Sequence, residues 1–363
     1  MVNKRKKGII FPLEAYNDRY NHKGLFIFPF WEKLIEELRK YFDITVYNGK
    51  TQYPKYIYDK KAYTKIKYRI KNGNYWSEIL KTKRFDFILQ HYIHPYLAKE
   101  FLDKTFVLTD TCAESTLKAK NITIDKKLKS LIEFEYNYLS NVKHIFTYSE
   151  TLKNFMIKDD IFKDKISVTS PGSFLEQDED YSKNYNNKII LFVGNPFVDK
   201  GGPYLISAFR KIKKLVPDAK LILVSNIPNK YLEILPKDVI VIKNITYKHR
   251  KKLIELYKLA SVFVILGKKA NYPNTIIEAM SFKVPVIATN MIGATEEILS
   301  GDCGIIIRDK DIVGSLVKNV VFLFKHPDKL RELGLKGYQR YKNNYSFDSF
   351  VSKIVKTIKE KIY

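Results

Sequence analysis

Lys188-Ile-Ile-Leu-Phe-Val193, followed at once by Gly194-Asn-Pro-Phe-Val-Asp-Lys-Gly-Gly202 and then by Pro203 to Leu215, decides the fold. The first piece is a short apolar run, as expected of a strand buried on both faces of a parallel sheet. The last places Leu205, Phe209 and Ile212 at helical spacing, and Pro203 suits a first helical turn, where its missing N–H leaves no helical bond unmade. Strand, glycine turn and helix make one unit of a doubly wound sheet. The unit repeats downstream through Leu221 to Ser225, Val239 to Ile242, Val262 to Leu266, Val284 to Ala288 and Gly304 to Ile307. Upstream, Gly8 to Leu13, Ile44 to Tyr47, Phe85 to Gln90, Phe106 to Thr109 and Ile145 to Tyr148 read as strands, with a helix over Phe28 to Tyr41 carried by Phe30, Leu34 and Leu38.

The expected class is therefore α/β, with two Rossmann-like, doubly wound domains facing across a cleft and ligands outside the carboxyl ends of the strands. The domains are predicted at residues 1–172 and 188–345. The polar, unpatterned residues 173–187 would form the linker, and a final helix over 346–363 carries an apolar stripe of Phe347, Phe350, Val351, Ile354, Val355, Ile358 and Ile362.

A chain of 363 residues suits two domains. No apolar run approaches the ~18–20 residues needed to span a bilayer, and Gly8 to Leu13 is too short for a signal peptide. Cys112 and Cys303 fall in separate predicted domains, so neither a disulfide framework nor a thiolate metal site is expected, and the expected location is cytoplasmic. The formal charge of +25 attracts anionic partners. It is equally what a Lys-, Ile-, Tyr- and Asn-rich composition from an A+T-rich genome produces. Ten of the basic residues lie in Thr51 to Arg84 against only Asp59 and Glu78, interleaved with Tyr53, Tyr56, Tyr58, Tyr63, Tyr68, Tyr75 and Trp76. That segment suits peripheral contact with an anionic membrane, its Tyr and Trp rings in the headgroup zone; nucleic acid is the less favoured partner.

Two stretches carry chemistry. In Gly194 to Gly202, Gly201 and Gly202 permit close backbone approach, the following helix offers unpaired N–H groups and Lys200 supplies a cation, which together suit a phosphate. An ordinary glycine turn with a solvated lysine is the plain alternative, and the spacing matches neither the dinucleotide fingerprint nor the P-loop. In Tyr272-Pro-Asn-Thr-Ile-Ile-Glu-Ala-Met280, a short helix is expected to open at about Thr275. Thr275 and Glu278 have the spacing of a capping box. The other reading has Glu278 accepting from ribose hydroxyls while amides around Thr275 and Ile276 face a diphosphate.

The ordered set of motifs resembles the retaining GT-B glycosyltransferases of family 4, called group 1. Phe192-Val-Gly194, Lys200-Gly-Gly202, Glu255-Leu-Tyr-Lys-Leu-Ala-Ser261, Pro273-Asn-Thr-Ile-Ile-Glu-Ala-Met280, Pro285-Val-Ile-Ala-Thr289 and Gly304-Ile-Ile-Ile307 follow the family's order. Phe146-Thr-Tyr-Ser149, Lys165-Ile-Ser-Val168 and Pro171-Gly172 agree more loosely. The resemblance implies a GT-B architecture whose last helix returns to the N-terminal domain, a nucleoside-diphosphate sugar as donor, a glycan or lipid-linked acceptor, and no metal or other cofactor. It implies that Lys200 neutralises the leaving diphosphate, that Glu278 binds the ribose and that Asn271, Tyr272, Pro273, Asn274 and Thr275 meet donor sugar and phosphates. Gly194, Asn195, Gly201 and Ile276 would complete that site, Asn244 and Ile245 would flank the base, and Gly24 resembles the family's glycine turn. Asp110, with Thr111, stands where the family carries a histidine near the reacting carbon; His91 and His94 are other candidates, more readily read as structural.

Two departures stand out. Asn195 replaces the family's arginine, and Ala270 replaces its first glutamate, eight positions before Glu278. They leave a GT-B protein that binds nucleotide or glycan without catalysis as the second reading, and a nucleic-acid glycosyltransferase as the third.

Overall fold

The computed structural model describes residues 5–11, 27–47, 75–93, 96–119, 122–157, 162–173, 175, 181–245, 249–267, 272–290 and 293–362. The chain forms two compact units. The first holds a six-stranded, all-parallel sheet of β1 (Lys7–Phe11), β2 (Asp43–Val46), β3 (Phe87–His91), β4 (Thr105–Thr109), β5 (His144–Thr147) and β6 (Ile166–Val168), in the order β2-β1-β3-β4-β5-β6. All five side chains of β4 are buried, as a sheet covered on both faces requires. Helix α1 (Ile27–Arg39) buries Phe30, Trp31, Leu34 and Leu38 on one face.

The second unit holds β7 (Ile189–Val193), β8 (Lys220–Val224), β9 (Val239–Ile242), β10 (Val262–Ile265), β11 (Val286–Thr289) and β12 (Ile305–Ile307), again all parallel, in the order β12-β11-β10-β7-β8-β9. Counted from its own first strand this is the 3-2-1-4-5-6 order of a dinucleotide-binding sheet, with its switch point between β7 and β10. Helix α2 (Gly202–Leu215) follows β7, α3 (Arg250–Leu259) precedes β10, and α4 (Asn274–Ser281) follows it. Leu205, Phe209 and Ile212 of α2 are buried with Leu316, Val320 and Leu323 of α5 (Ile312–Lys325) in one core over the sheet.

Residues 181–187 are bonded to the second unit. Tyr181 Oη donates to Lys258 O (3.0 Å), and Lys183 Nζ donates to the carbonyls of Tyr257 (2.7 Å) and Lys258 (2.8 Å) at the end of α3. Tyr185 Oη donates to Lys283 O (3.0 Å). Burial among these carbonyls pulls the Lys183 ammonium down to about 7.

The last helix, α6 (Phe347–Ile362), buries Phe347, Phe350, Val351, Ile354, Val355 and Ile358, and from Phe350 onward it groups with the first unit. The Phe350 ring lies 5.4 Å from that of Phe30 on α1. Of the basic, aromatic segment, residues 51–74 lie outside those described. Trp76 corrects the membrane reading of its ring: it is buried, 5.3 Å from the rings of both Phe11 and Tyr47, whereas Tyr75 is 57% exposed. The core offered Trp76 more apolar contact than a surface does. Among the described residues no helix is long and apolar enough to cross a membrane.

Because Phe350 fills a closed site, Phe350→Ala should lower unfolding stability by ~3–5 kcal/mol, the usual range for a phenylalanine cavity. Urea denaturation followed by circular dichroism measures it, and a loss below about 1 kcal/mol would show that the stripe of α6 is not packed in this way.

Candidate functional site

The switch point of the second sheet joins two loops through one backbone bond. Leu266 N, just past β10, donates to Lys200 O at 3.1 Å, in the turn after β7. Gly201 caps α2 with φ of 80°, in the left-handed region, and a Cβ there would fall onto the Leu266 carbonyl. Only glycine meets both demands. The turn closes on itself through Lys200 N to Pro196 O (3.1 Å), Gly201 N to Val198 O (3.0 Å) and Gly202 N to Phe197 O (3.0 Å). The Lys200 ammonium has no carboxylate within salt-bridge distance among the described residues. Burial lowers its pKa from the usual lysine range, and Asp199 opposes this by raising it.

Asn195 is engaged on the other side of the turn. Its Oδ1 accepts from Asn226 N (2.9 Å) and lies 2.8 Å from the Ser225 hydroxyl, which also reaches Gly194 O at 2.6 Å. Asn226 Oδ1 in turn accepts from Asn244 N (3.1 Å), where Asn244 holds a φ of 55°. These side chains tie together the carboxyl ends of β7, β8 and β9. Asn244 is exposed and Ile245 is buried.

Helix α4 opens one residue earlier than its sequence suggests. Pro273 is the N-cap and no side chain caps the helix, so the capping box of Thr275 and Glu278 is not formed. Proline fixes the entry here, and Thr275 falls inside the first turn, out of capping position. Tyr272, Pro273 and Ile276 are buried, while Asn274 and Thr275 are half-buried. Glu278 is buried and accepts a 2.7 Å bond at Oε2 from the hydroxyl of Tyr257 on α3. Burial raises its carboxyl to about 7, with the tyrosine bond acting against the shift. Tyr257 and the pair Ser225 and Asn226 are the site residues that sequence reading missed. Tyr257 sits in a quoted motif, but its bond spans 21 positions, which no local pattern reports.

The remaining predicted residues divide by place. Gly24, His94, Ala270 and Asn271 lie outside the described residues. Asp110 is half-buried at the carboxyl end of β4 in the first unit. His91 ends β3 against the Trp31 ring at 6.1 Å, and burial lowers it to about 4, so it is neutral at pH 7. Near these, the Glu135 carboxylate accepts from Tyr92 Oη (2.6 Å) and Ala113 N (2.9 Å), fixing the loops beside them.

The sucrose-phosphate synthase of Thermosynechococcus elongatus superposes with a TM-score of 0.71 at 13% identity, over 98% of this chain and 99% of its own. The pneumococcal O-GlcNAc transferase GtfA, solved with UDP and GlcNAc, gives a TM-score of 0.55 at 12% identity, over 76% of this chain and 57% of its own. Two parallel Rossmann-like sheets with these neighbours define a two-domain GT-B fold. Residues 173–340 match the family model for glycosyl transferases group 1. The capsular polysaccharide biosynthesis glycosyltransferase CapM of Staphylococcus aureus is 27% identical over 226 residues, which are 56% of this chain and 57% of CapM. The chain thus aligns with just over half the length of that relative.

The raised Glu278 carboxyl has a consequence for the free protein. In the unfolded chain it ionises at about 4.5 and in the folded chain at about 7, so stability is fully present below 4.5 and falls as pH rises through 7. The loss is ~3 kcal/mol at ~1.4 kcal/mol per unit. Glu278→Gln removes the titration. Its melting temperature should depend less on pH between 4.5 and 7 than that of the unaltered protein; parallel curves would show that the carboxyl is not shifted.

Proposed function

We propose that this protein transfers a sugar, with net retention and without a bound metal, from a nucleoside-diphosphate sugar to a hydroxyl of a glycan or lipid-linked acceptor. The observation that carries the reading is the meeting of two loops at the switch point of the second sheet. One bears Lys200 and left-handed Gly201; the other leads into α4 and Glu278. A diphosphate placed there would meet the positive end of the α2 dipole, the half-buried ammonium of Lys200 and the first turn of α4, all of which favour negative charge. Lys200 would stabilise the charge that grows on the departing diphosphate, which is where catalysis of this kind gains most. Glu278 would take the ribose, with Asn244 and Ile245 beside the base. Asp110 is the candidate from the first unit for the reacting end of the donor. The UDP and GlcNAc of the pneumococcal enzyme are consistent with this class of donor.

Asn195 makes a retained role for this turn intelligible despite the missing arginine, because its side chain holds Ser225 and Asn226 past β8, and Asn226 in turn holds Asn244 past β9. The phosphate site then rests on one cation, and Lys200→Ala should weaken nucleoside-diphosphate binding by ~10–100-fold, the worth of a charge-assisted bond, with the fold intact. A thermal-shift screen over UDP-, GDP- and ADP-sugars finds the donor first: at 100 times its dissociation constant it adds ~2.7 kcal/mol. Transfer that survives EDTA and yields the donor's own anomeric configuration supports the reading; nucleotide binding with neither transfer nor donor hydrolysis would make the protein a binding module. Unchanged affinity in Lys200→Ala removes that residue from the site.

The acceptor side includes peripheral contact with an anionic membrane, motivated by the charge of +25. Each basic residue near an acidic surface contributes ~1 kcal/mol and the attraction fades within a Debye length. The protein should co-sediment with vesicles containing anionic lipid at low salt and less so at moderate salt. Protein left in the supernatant with acidic vesicles at low salt ends this part of the proposal.

A further inference from the structure

Within the segment Glu255 to Ser261, the side chain of Tyr257 reaches Glu278. The ring is fully buried, stacked on Phe282 (centroids 5.6 Å apart, planes within 5°) and packed against Phe263 at 6.0 Å. That clamp leaves the hydroxyl one place to point, and there it donates to Glu278 Oε2 at 2.7 Å. The end of α3 that carries Tyr257 is held in turn by Lys183 and Tyr181, which donate to the Tyr257 and Lys258 carbonyls. Glu278 Oε1 has no hydrogen-bond partner among the described residues.

We infer that Tyr257 is a positioning residue for nucleotide recognition: its phenol occupies one oxygen of Glu278, so that the carboxylate presents the other to the two vicinal hydroxyls of a ribose. The inference rests on the reading of Glu278 as the ribose ligand. A diol donates two protons and needs an acceptor-only group, which the ionised carboxylate is and the protonated acid is not. Burial favours the acid, and a hydrogen bond to the charged form opposes it. Charged or titratable groups on the elements packed against α4 include Tyr257, Glu296, Glu297, Arg340, Tyr341 and Tyr345, with Lys183 and Lys283 beside them. Lys183 is tied to carbonyls of α3, Lys283 to Tyr181 O and Arg340 to the carbonyls of Glu297 and Ile298. Tyr257 is the one that acts on the Glu278 carboxyl.

Tyr257→Phe keeps the ring stack and removes only the hydroxyl. The probes are UDP and GDP, each beside its 2′,3′-dideoxy counterpart, titrated calorimetrically from pH 6 to 9. The diphosphates of each pair ionise alike, so the ratio of affinities isolates the diol. The unaltered protein should prefer the ribose form by about tenfold at pH 8, the worth of one bond to a charged group, with the preference fading below about pH 7. In Tyr257→Phe the midpoint should move up by about one pH unit, with the preference regained by pH 9 and a normal cooperative melt. Glu278→Gln should show no pH dependence of the ratio with either residue at 257. A Tyr257→Phe profile that superimposes on the unaltered one overturns the role of Tyr257 while leaving Glu278 at the ribose. Equal affinity of the unaltered protein for both members of each pair overturns the ribose reading itself, and the inference with it.

Discussion

The bond from Leu266 N to Lys200 O is the constraint on which the candidate site depends. It holds the turn after β7 against the turn after β10, and those strands are neighbours only because the sheet order reverses between them. A side chain at 201 would separate the two turns, and the positive φ there excludes it twice over. Once the turns are joined, the rest follows from chain direction. Helix α2 starts at Gly202 and α4 at Asn274, both at the same edge of the sheet. The site is thus a product of backbone geometry first, and of Lys200 and Glu278 second.

Those two side chains are treated by the fold in opposite ways. Burial works against the charge on each, lowering Lys200 and raising Glu278. Glu278 receives a compensating bond from Tyr257, so one of its two oxygens is engaged inside the protein. Among the described residues, Lys200 receives only the more distant attraction of Asp199. A buried cation without a bonded partner is costly, and an arriving anion relieves that cost more than it would for a solvated lysine. The lysine is therefore the element of the site with most to gain from a ligand, whereas the glutamate is already partly satisfied and contributes direction.

What the sequence revealed, and what it hid, divides by range. Runs such as Ile189–Val193 and Val262–Ile265 were legible because strands buried on both faces are apolar throughout, and every strand read from the sequence is present in one of the two sheets. The close approach at Gly201 was legible because a glycine pair between strand and helix permits it, although an ordinary glycine turn reads the same in sequence. The start of α4 was misread because Thr275 and Glu278 satisfy a local spacing rule that the preceding Pro273 overrides. Trp76 was misread because its neighbours in sequence are basic and polar, while its neighbours in space, Phe11 and Tyr47, come from two other strand regions. Tyr257 was hidden for the same reason. Its motif locates it on a helix, but only the packing of α3 beside α4 gives its hydroxyl a partner.

The excess of basic charge takes three physical forms in this fold. Exposed lysines pair loosely with nearby acids, as Lys81 does with Glu78 and Lys336 with Glu332, and such pairs contribute little to stability. Lys183 is drawn inside to satisfy the carbonyls at the end of α3, a use of a cation that complements the negative end of a helix dipole. Lys200 is drawn inside with no comparable structural partner among the described residues. A composition rich in lysine explains the first form without any selection for function, and helix capping explains the second. Neither explains why an ammonium should be held half-buried beside a left-handed glycine at the switch point of a parallel sheet, whereas the proposed anionic ligand would.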